Sequence, residues 1–417
     1  MMEELLKRPF TRLLFWWITG IVLQVCFPLE RLSVGVLFPV GVALVLPLFF
    51  RRQAALSYDA RWVWGALIAC LLVFLSIQMT VLTEKRLSTP SEPGWLQLKA
   101  QAVQFSMVEK LDPLSLSDDE KAILATITVN YRLAMTRELR SQFSTIGMSH
   151  LLSISGFHVA IVGRFLMFIF SFFPRRKVFR WLKYVLLMAA IWAYAYISGL
   201  SAPAVRASLM FTVYQTGILL QRSPDKYNTL AGTAFCMLWY NPFYLFDIGF
   251  QLSYLGTWSI MYLQPRFARL IEVRNPLLAY PWDILTVSLA AQIGTIPLCA
   301  YYFGKTSTVC LLTNVYLTFL SIGLIPLTLL WMLLPAGLPG SGVVQWVIEM
   351  LTRSLMWIVD RFSAIPGATV SMDYDFVTLL CSYGILVFGL CYFRMKSFPM
   401  LLSTLGLLLF ILGWQLI

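Results

Sequence analysis

Apolar runs of about twenty residues, enough to cross a bilayer, recur along most of this chain. They occupy about 10–27, 32–50 and 62–82, then 147–173, 181–198, 203–221, 227–245, 248–263, 281–303, 308–334, 343–362, 376–393 and 398–417. Composition agrees with that reading. Of the 417 residues, 59% are hydrophobic and only 12% are charged. A soluble domain carries about twice that charged fraction. The expected fold class is therefore an all-α polytopic integral membrane protein with about 11–13 transmembrane helices. The first run is read as a retained helix, because Pro28, Leu29, Glu30 and Arg31 follow it rather than a small-residue cleavage site.

Charge patterning sets an orientation. The net charge is +12, and in a membrane protein Lys and Arg gather in short cytoplasmic loops. An N-terminus placed inside by Lys7, Arg8 and Arg12 puts Arg51-Arg52, the Arg175 loop, residues 222–226, the Arg266 loop and Arg394 with Lys396 on the same side. Residues 83–146, charge-balanced with eight basic and eight acidic side chains, then fall outside. This segment is expected to be an extracytoplasmic linker with amphipathic helices between N-terminal transmembrane helices (1–82) and a transmembrane core (147–417). Trp95, Leu98, Ala102, Phe105 and Val108 share one helical face, suited to lie on the membrane or on the bundle. Ser117 with Glu120 three residues on is a capping-box signature. The seven cysteines sit mostly within apolar runs, with no CxxC, and read as buried thiols that fill space.

Polar side chains at membrane depth are costly and so mark candidate functional positions. The run at 147–173 carries both histidines of the chain, His150 and His158, with Ser153, Ser155 and Gly156 between them and Arg164 beyond. On one helix His150 and Ser153 stack, as do Ser155 and His158, and at about 100° per residue the two histidines line one broad face. Glycine and serines there also permit a helix break. Asp247 and Gln251 form a second pair at i,i+4, continued by Tyr254 and Trp258, and Arg164 and Arg206 are candidate ion-pair partners for Asp247. Gln292 lies near Pro297 and Asn314 near Pro326, and a proline inside a helix frees a carbonyl. Broken or kinked helices in the core are expected where they line a cavity. Each position also has a bland reading, as interhelical glue, a structural ion pair or a packing kink.

The segment SHLLSISGFHVAI (149–161) resembles the signature of the ComEC competence proteins, bacterial inner-membrane channels for DNA uptake. Further matching segments follow the family's order: SLSDDEKAIL and RELRSQFSTIGMSHLL, then SAPAVRASLM, NPFYLFDIGFQLSYLGTWSI, AQIGTIPLCAYYFG and TNVYLTFLSIGLIPL. Together they cover about 114–335. There are departures. Residues 83–111 are too short for the OB-like domain that family members usually carry, and no HxHxDH-type motif of a metallo-β-lactamase-like domain occurs. A turn that usually reads Gly-Asp-Arg is Asn130-Tyr131-Arg132 here. The resemblance implies a multi-pass protein of the bacterial inner membrane that passes single-stranded DNA from periplasm to cytoplasm. Its implied partners are the DNA, the lipid bilayer, a periplasmic DNA receptor and a cytoplasmic ATP-driven motor, since no GxxxxGK[ST] motif is present.

The candidate path residues are His150, Ser153, Ser155, Gly156, His158, Arg206, Asp247, Gln251, Gln292 and Asn314, with no catalytic residue, metal or cofactor expected. Two other functions fit part of the pattern. A small-solute or lipid transporter with discontinuous helices explains the prolines and the polar positions. An intramembrane serine hydrolase would use Ser155 with His158 as its base.

Overall fold

The computed structural model describes residues 8–28, 61–88, 94–172, 177–221, 225–334 and 340–414. The expected run at 32–50, the Arg51-Arg52 pair, and loop residues 174–176 and 222–224 lie outside the described residues. Contacts divide the chain into two units that interleave in sequence: residues 1–103 with 162–254, and residues 104–161 with 255–417. They cut across the boundaries at 82 and 146 drawn from sequence.

Fifteen α-helices occur among the described residues. They are α1 Pro9–Cys26, α2 Arg61–Ser88, α3 Trp95–Glu109, α4 Asp118–Val129, α5 Arg137–Thr145, α6 Gly156–Ser171, α7 Lys177–Ile197 and α8 Ala202–Leu219. Then come α9 Lys226–Tyr240, α10 Ile248–Ala268, α11 Pro276–Phe303, α12 Cys310–Leu333, α13 Ser341–Ser363, α14 Phe376–Met395 and α15 Phe398–Trp414. The fold is all-α and polytopic in kind. Six helices, α1, α2, α11, α12, α13 and α14, are long and apolar enough to cross a membrane, and α6 and α15 are shorter apolar helices. The break expected at 198–203 is present, with Gly199 and Leu200 both in left-handed conformation. By contrast α11 and α12 run on through Pro297 and Pro326 without interruption.

In the first unit α1 packs against α2 and α9 around a core of Trp17, Ile21, Leu72, Met237, Leu238 and Phe250. Trp17 stacks on Trp239 at 4.7 Å between centroids. Gly20 lets α1 approach α2, since a Cβ there would run into the Ser76 hydroxyl and the Val73 carbonyl. That small-residue contact suits helices in lipid, where packing rather than water exclusion drives association. Asp225 caps α9 through Asn228 N–H and pairs with Arg8 at 3.2 Å. Helices α7 and α8 are joined by hydroxyl bonds, Tyr184 to Thr216 at 2.7 Å and Trp192 to Thr212 at 3.2 Å.

The second unit is built over α4. The Ser117–Glu120 capping box forms in both directions. Asn130 ends the helix in left-handed conformation (φ 61°), a position that glycine or asparagine takes at low cost. Every residue from Ala122 to Val129 is buried. The 83–146 segment is thus more than a linker: its short α4 lies against α12 and α13. Lys110 donates to the Met332 carbonyl, and Ser115 N–H to Glu349. The expected apolar face of α3 forms and is left uncovered by the protein, which fits the membrane rather than the bundle of its two expected placements. Trp95, Leu98 and Phe105 are uncovered, while Ala100 and Gln104 are buried, because Gln104 Nε2 caps the Val129 carbonyl at 2.6 Å. A two-stranded antiparallel ribbon, β1 Lys305–Ser307 with β2 Thr369–Ser371, ties the α11–α12 junction to the α13–α14 junction.

Helix α10 meets α11 at Gly294, where a Cβ would collide with the Ser259 side chain. Tyr383 of α14 donates to the Gly294 carbonyl at 3.0 Å. We expect Gly294→Ala to lower stability in thermal unfolding by about 1–3 kcal/mol, and Ser259→Gly added to it to recover most of that loss. A Gly294→Ala protein as stable as the parent would show that the helices do not meet there. Ser117→Ala, which removes half of the capping box, should cost about 1 kcal/mol in the same measurement.

Candidate functional site

The run at 147–173 is not one helix: it breaks, as its glycine and serines permit, so Ser155 meets His158 but His150 does not stack on Ser153. Helix α5 ends at Gly147, whose φ of +73° only glycine adopts freely. Met148 N–H reaches back to the Phe143 carbonyl and Gly147 N–H to Ser144, which satisfies the last carbonyls of α5. A short 3-10 helix, Ser149–Leu152, follows, then extended backbone at Ser153, then α6. Met148, Leu151, Leu152 and Ile154 are buried and anchor the turn, which lies against α4 and α5. His150 and Gly156 are exposed, Ser153 and Ser155 half-buried, and a Cβ at Gly156 would meet only open space. Alternating apolar anchors and polar groups therefore hold the polar ones out. His150 and Ser153 share no helical face, because the backbone between them leaves the helix.

His158 has a different place. It is fully buried, and its Nδ1 accepts from the Ser155 backbone N–H at 3.2 Å, with the Ser155 hydroxyl 3.1 Å away. Val159 N–H donates to the Ser155 carbonyl. His158 thus does for α6 what Glu120 does for α4: from the third helical position it satisfies the N–H of the capping residue. It is a cap rather than a lining residue.

The Gly147 turn rests on the start of α12. A Cβ at Gly147 would lie 2.7 Å from Cys310 Cβ and 2.8 Å from Ser307 Cβ. The Thr313 hydroxyl donates to the Ile146 carbonyl at 3.1 Å, and Cys310 Sγ lies 3.6 Å from the Gly147 carbonyl. From Cys310 a polar ladder continues between α11 and α12. Gln292 Nε2 bonds Cys310 Sγ at 3.4 Å and Ser288 Oγ at 3.0 Å; Asn314 Nδ2 bonds Ser288 Oγ at 2.7 Å; Thr318 bonds Asn314 Oδ1 at 3.2 Å. Gln292 and Asn314 are thus brought together, and linked to the turn that carries His150. The residues that join them, Ser288, Cys310 and Thr318, escaped the sequence reading. Ser288 and Thr318 had a usable signal, each lying four residues from Gln292 or Asn314 on its own helix. Cys310 does more than fill space, since it bridges ladder and turn.

Arg206, Asp247 and Gln251 belong to the first unit. Asp247 is exposed and caps α10 through Phe250 N–H at 2.7 Å. Gln251 donates to the Leu245 carbonyl at 2.9 Å, holding the 3-10 turn Pro242–Phe246 against α10. Arg206 is 5% exposed, with Tyr254, Asp247 and Tyr244 in electrostatic reach. The ion pairs among the described residues are Arg8–Asp225 and Arg353–Glu349. The expected Asp247 pair therefore does not close within 4.0 Å with either arginine, and Arg164 is exposed on α6. No group of three or more His, Cys, Asp or Glu side chains that could hold a metal ion occurs among the described residues.

Comparison with known proteins supplies the family. A family model described as Competence protein matches residues 127–397, which takes in the end of α4, the turn, the ladder and Arg206. ComE operon protein 3 of Bacillus subtilis (strain 168) is 29% identical over 229 residues, 54% of this chain and 27% of that protein. The aligned stretch thus spans about a quarter of that relative's length. No solved structure matches. The matched residues 127–397 make up well over half of the chain, and the chain belongs to the competence protein family.

Proposed function

We propose that this chain is the membrane conduit through which single-stranded DNA passes from the periplasm to the cytoplasm during competence. It acts in the bacterial inner membrane with its N-terminus cytoplasmic. A periplasmic DNA receptor delivers the strand and an ATP-driven motor in the cytoplasm draws it in. The observation that carries this reading is the non-helical segment at 153–155, with the 3-10 turn before it, inside the family match. Irregular backbone at membrane depth survives only where it lines a water-filled space or is enclosed by protein. Here the segment opens outward at Gly156 and His150. A conduit needs a weakly attractive polar wall rather than tight sites, and His150 and Ser153 with the Gln292–Asn314 ladder supply neutral donors and acceptors of that kind.

The 3.1 Å contact between Ser155 and His158 also bears on the hydrolase reading. A base must have a lone pair free for the nucleophile's proton. The Nδ1 lone pair of His158 already receives the Ser155 backbone N–H. The pair therefore builds the helix start.

The test is uptake of fluorescent DNA by a transformable strain that lacks its own family member and carries this chain. His150→Ala with Ser153→Ala should cut uptake by about tenfold, equivalent to ~1.4 kcal/mol of barrier, at unchanged membrane abundance. Wild-type uptake by that double variant would remove both residues from the path. His158→Asn keeps an acceptor at the capping position and should transport normally; loss of transport in a stable His158→Asn protein would restore a chemical role for the imidazole. Gly147→Ala, strained in φ and crowded against Cys310, should lower thermal stability by about 1–3 kcal/mol.

A further inference from the structure

Arg206 is the least explained charge in the molecule. It sits one turn into α8, whose first residues are Ala202 and Pro203. A helix N-terminus carries partial positive charge and favours anions, so a cation in the first turns is in the wrong place for the helix itself. The side chain is 5% exposed, and a buried guanidinium without a partner is costly. None of the hydrogen bonds or ion pairs described above satisfies it. Asp247, the carboxylate in reach, is committed by one oxygen to the Phe250 N–H and stays beyond 4.0 Å. Two hydroxyls of the same unit also lack a hydrogen-bond partner. The Tyr254 hydroxyl is buried with no hydrogen bond of normal geometry. The Thr233 hydroxyl, which is in reach of it, gives its own proton to the Leu230 carbonyl and so can only accept from the phenol. Ser201, at the capping position of α8, makes no cap hydrogen bond, and its hydroxyl is buried and unpaired. The cation and the phenol thus lie in electrostatic reach of each other, with the Asp247 carboxylate also in reach but beyond 4.0 Å of the guanidinium.

We propose that Arg206 and the Tyr254 hydroxyl form an anion site for a phosphodiester group of the passing DNA strand. Guanidinium donors match two phosphate oxygens at once, and the phenol adds one further donor. The site takes a phosphate in any base context, because no base-reading group is part of it. It deepens the conduit reading and rests on it, by giving the path a transient holding point for the backbone.

The test uses the full chain in nanodiscs of zwitterionic lipid and a fluorescein-labelled twelve-nucleotide DNA strand, read by anisotropy. Arg206→Gln should weaken binding by about tenfold. Arg206→Lys, which keeps the charge and loses the fork, should fall between, and Tyr254→Phe should lose about threefold. Millimolar inorganic phosphate should compete with the strand for the parent protein and not for Arg206→Gln. If Arg206→Gln does not fold, Arg206→Lys and Tyr254→Phe decide alone, and parental affinity in both would overturn the site. Binding restored to Arg206→Gln by Asp247→Asn, which keeps the α10 cap, would show that Arg206 only balances Asp247 and would also overturn it. Loss of strand binding when anionic phospholipid is added to the nanodisc would assign the site to a lipid phosphate instead. A parent protein that binds the strand in nanodiscs but supports no uptake in cells would count against the conduit reading and leave the site standing.

Discussion

The second unit depends on the close approach between Gly147 and the first turn of α12. With no side chain at 147, the α5 end can rest against Ser307 and Cys310. Thr313 then reaches the Ile146 carbonyl. These contacts fix where the chain leaves α5, and hence where the 3-10 turn places His150. They also attach the turn to the Gln292–Asn314 ladder through Cys310. In lipid, where apolar packing discriminates weakly between partners, such hydrogen bonds select one helix register. The polar groups of the turn are therefore held by the same contacts that hold the helices together.

Serine and threonine hydroxyls recur in that role. Thr126, Thr212, Thr216, Ser321 and Thr352 each return their proton to the carbonyl four residues back. A hydroxyl satisfied within its own helix can be buried in an apolar bundle at little cost and still offers its lone pairs to a neighbour. Thr216 shows both functions, since it also meets Tyr184 of α7. Ser288 serves the ladder in the same way, accepting from Gln292 and Asn314 together.

Much of the fold could be read from sequence, because its determinants are local. Among the described residues the apolar runs form helices at nearly the expected positions, and the Ser117–Glu120 box forms as its spacing requires. The left-handed Asn130 explains how the Gly-Asp-Arg turn of the resembled family tolerates Asn-Tyr-Arg. What failed depended on tertiary partners. The apolar stripe of α3 had two placements open to it, and which one it takes depends on Gln104, which faces in because the buried carbonyl of Val129 needs a donor. Asp247 looked like half of an ion pair and is a helix cap, since an N–H three residues on is nearer than any arginine. His158 looked like a path residue because the glycine and serines before it permit a break without fixing that α6 begins at Gly156. Periodicity is blind to a break that preserves hydropathy, and the 147–173 run is apolar on both sides of its break.

The two arginines at depth separate for a related reason. Insertion scales put a central charge at about 2.5–3.5 kcal/mol, and a side chain can escape that cost in two ways. Arg164 is exposed on α6, and its long apolar stem lets the guanidinium reach toward the interface. Arg206 is buried between elements of the first unit and cannot snorkel. Its cost has to be met where it stands, by a counter-charge that Asp247 supplies only from a distance. The carboxylate stays on the α10 cap. The separation leaves a buried cation with no counter-charge within 4.0 Å.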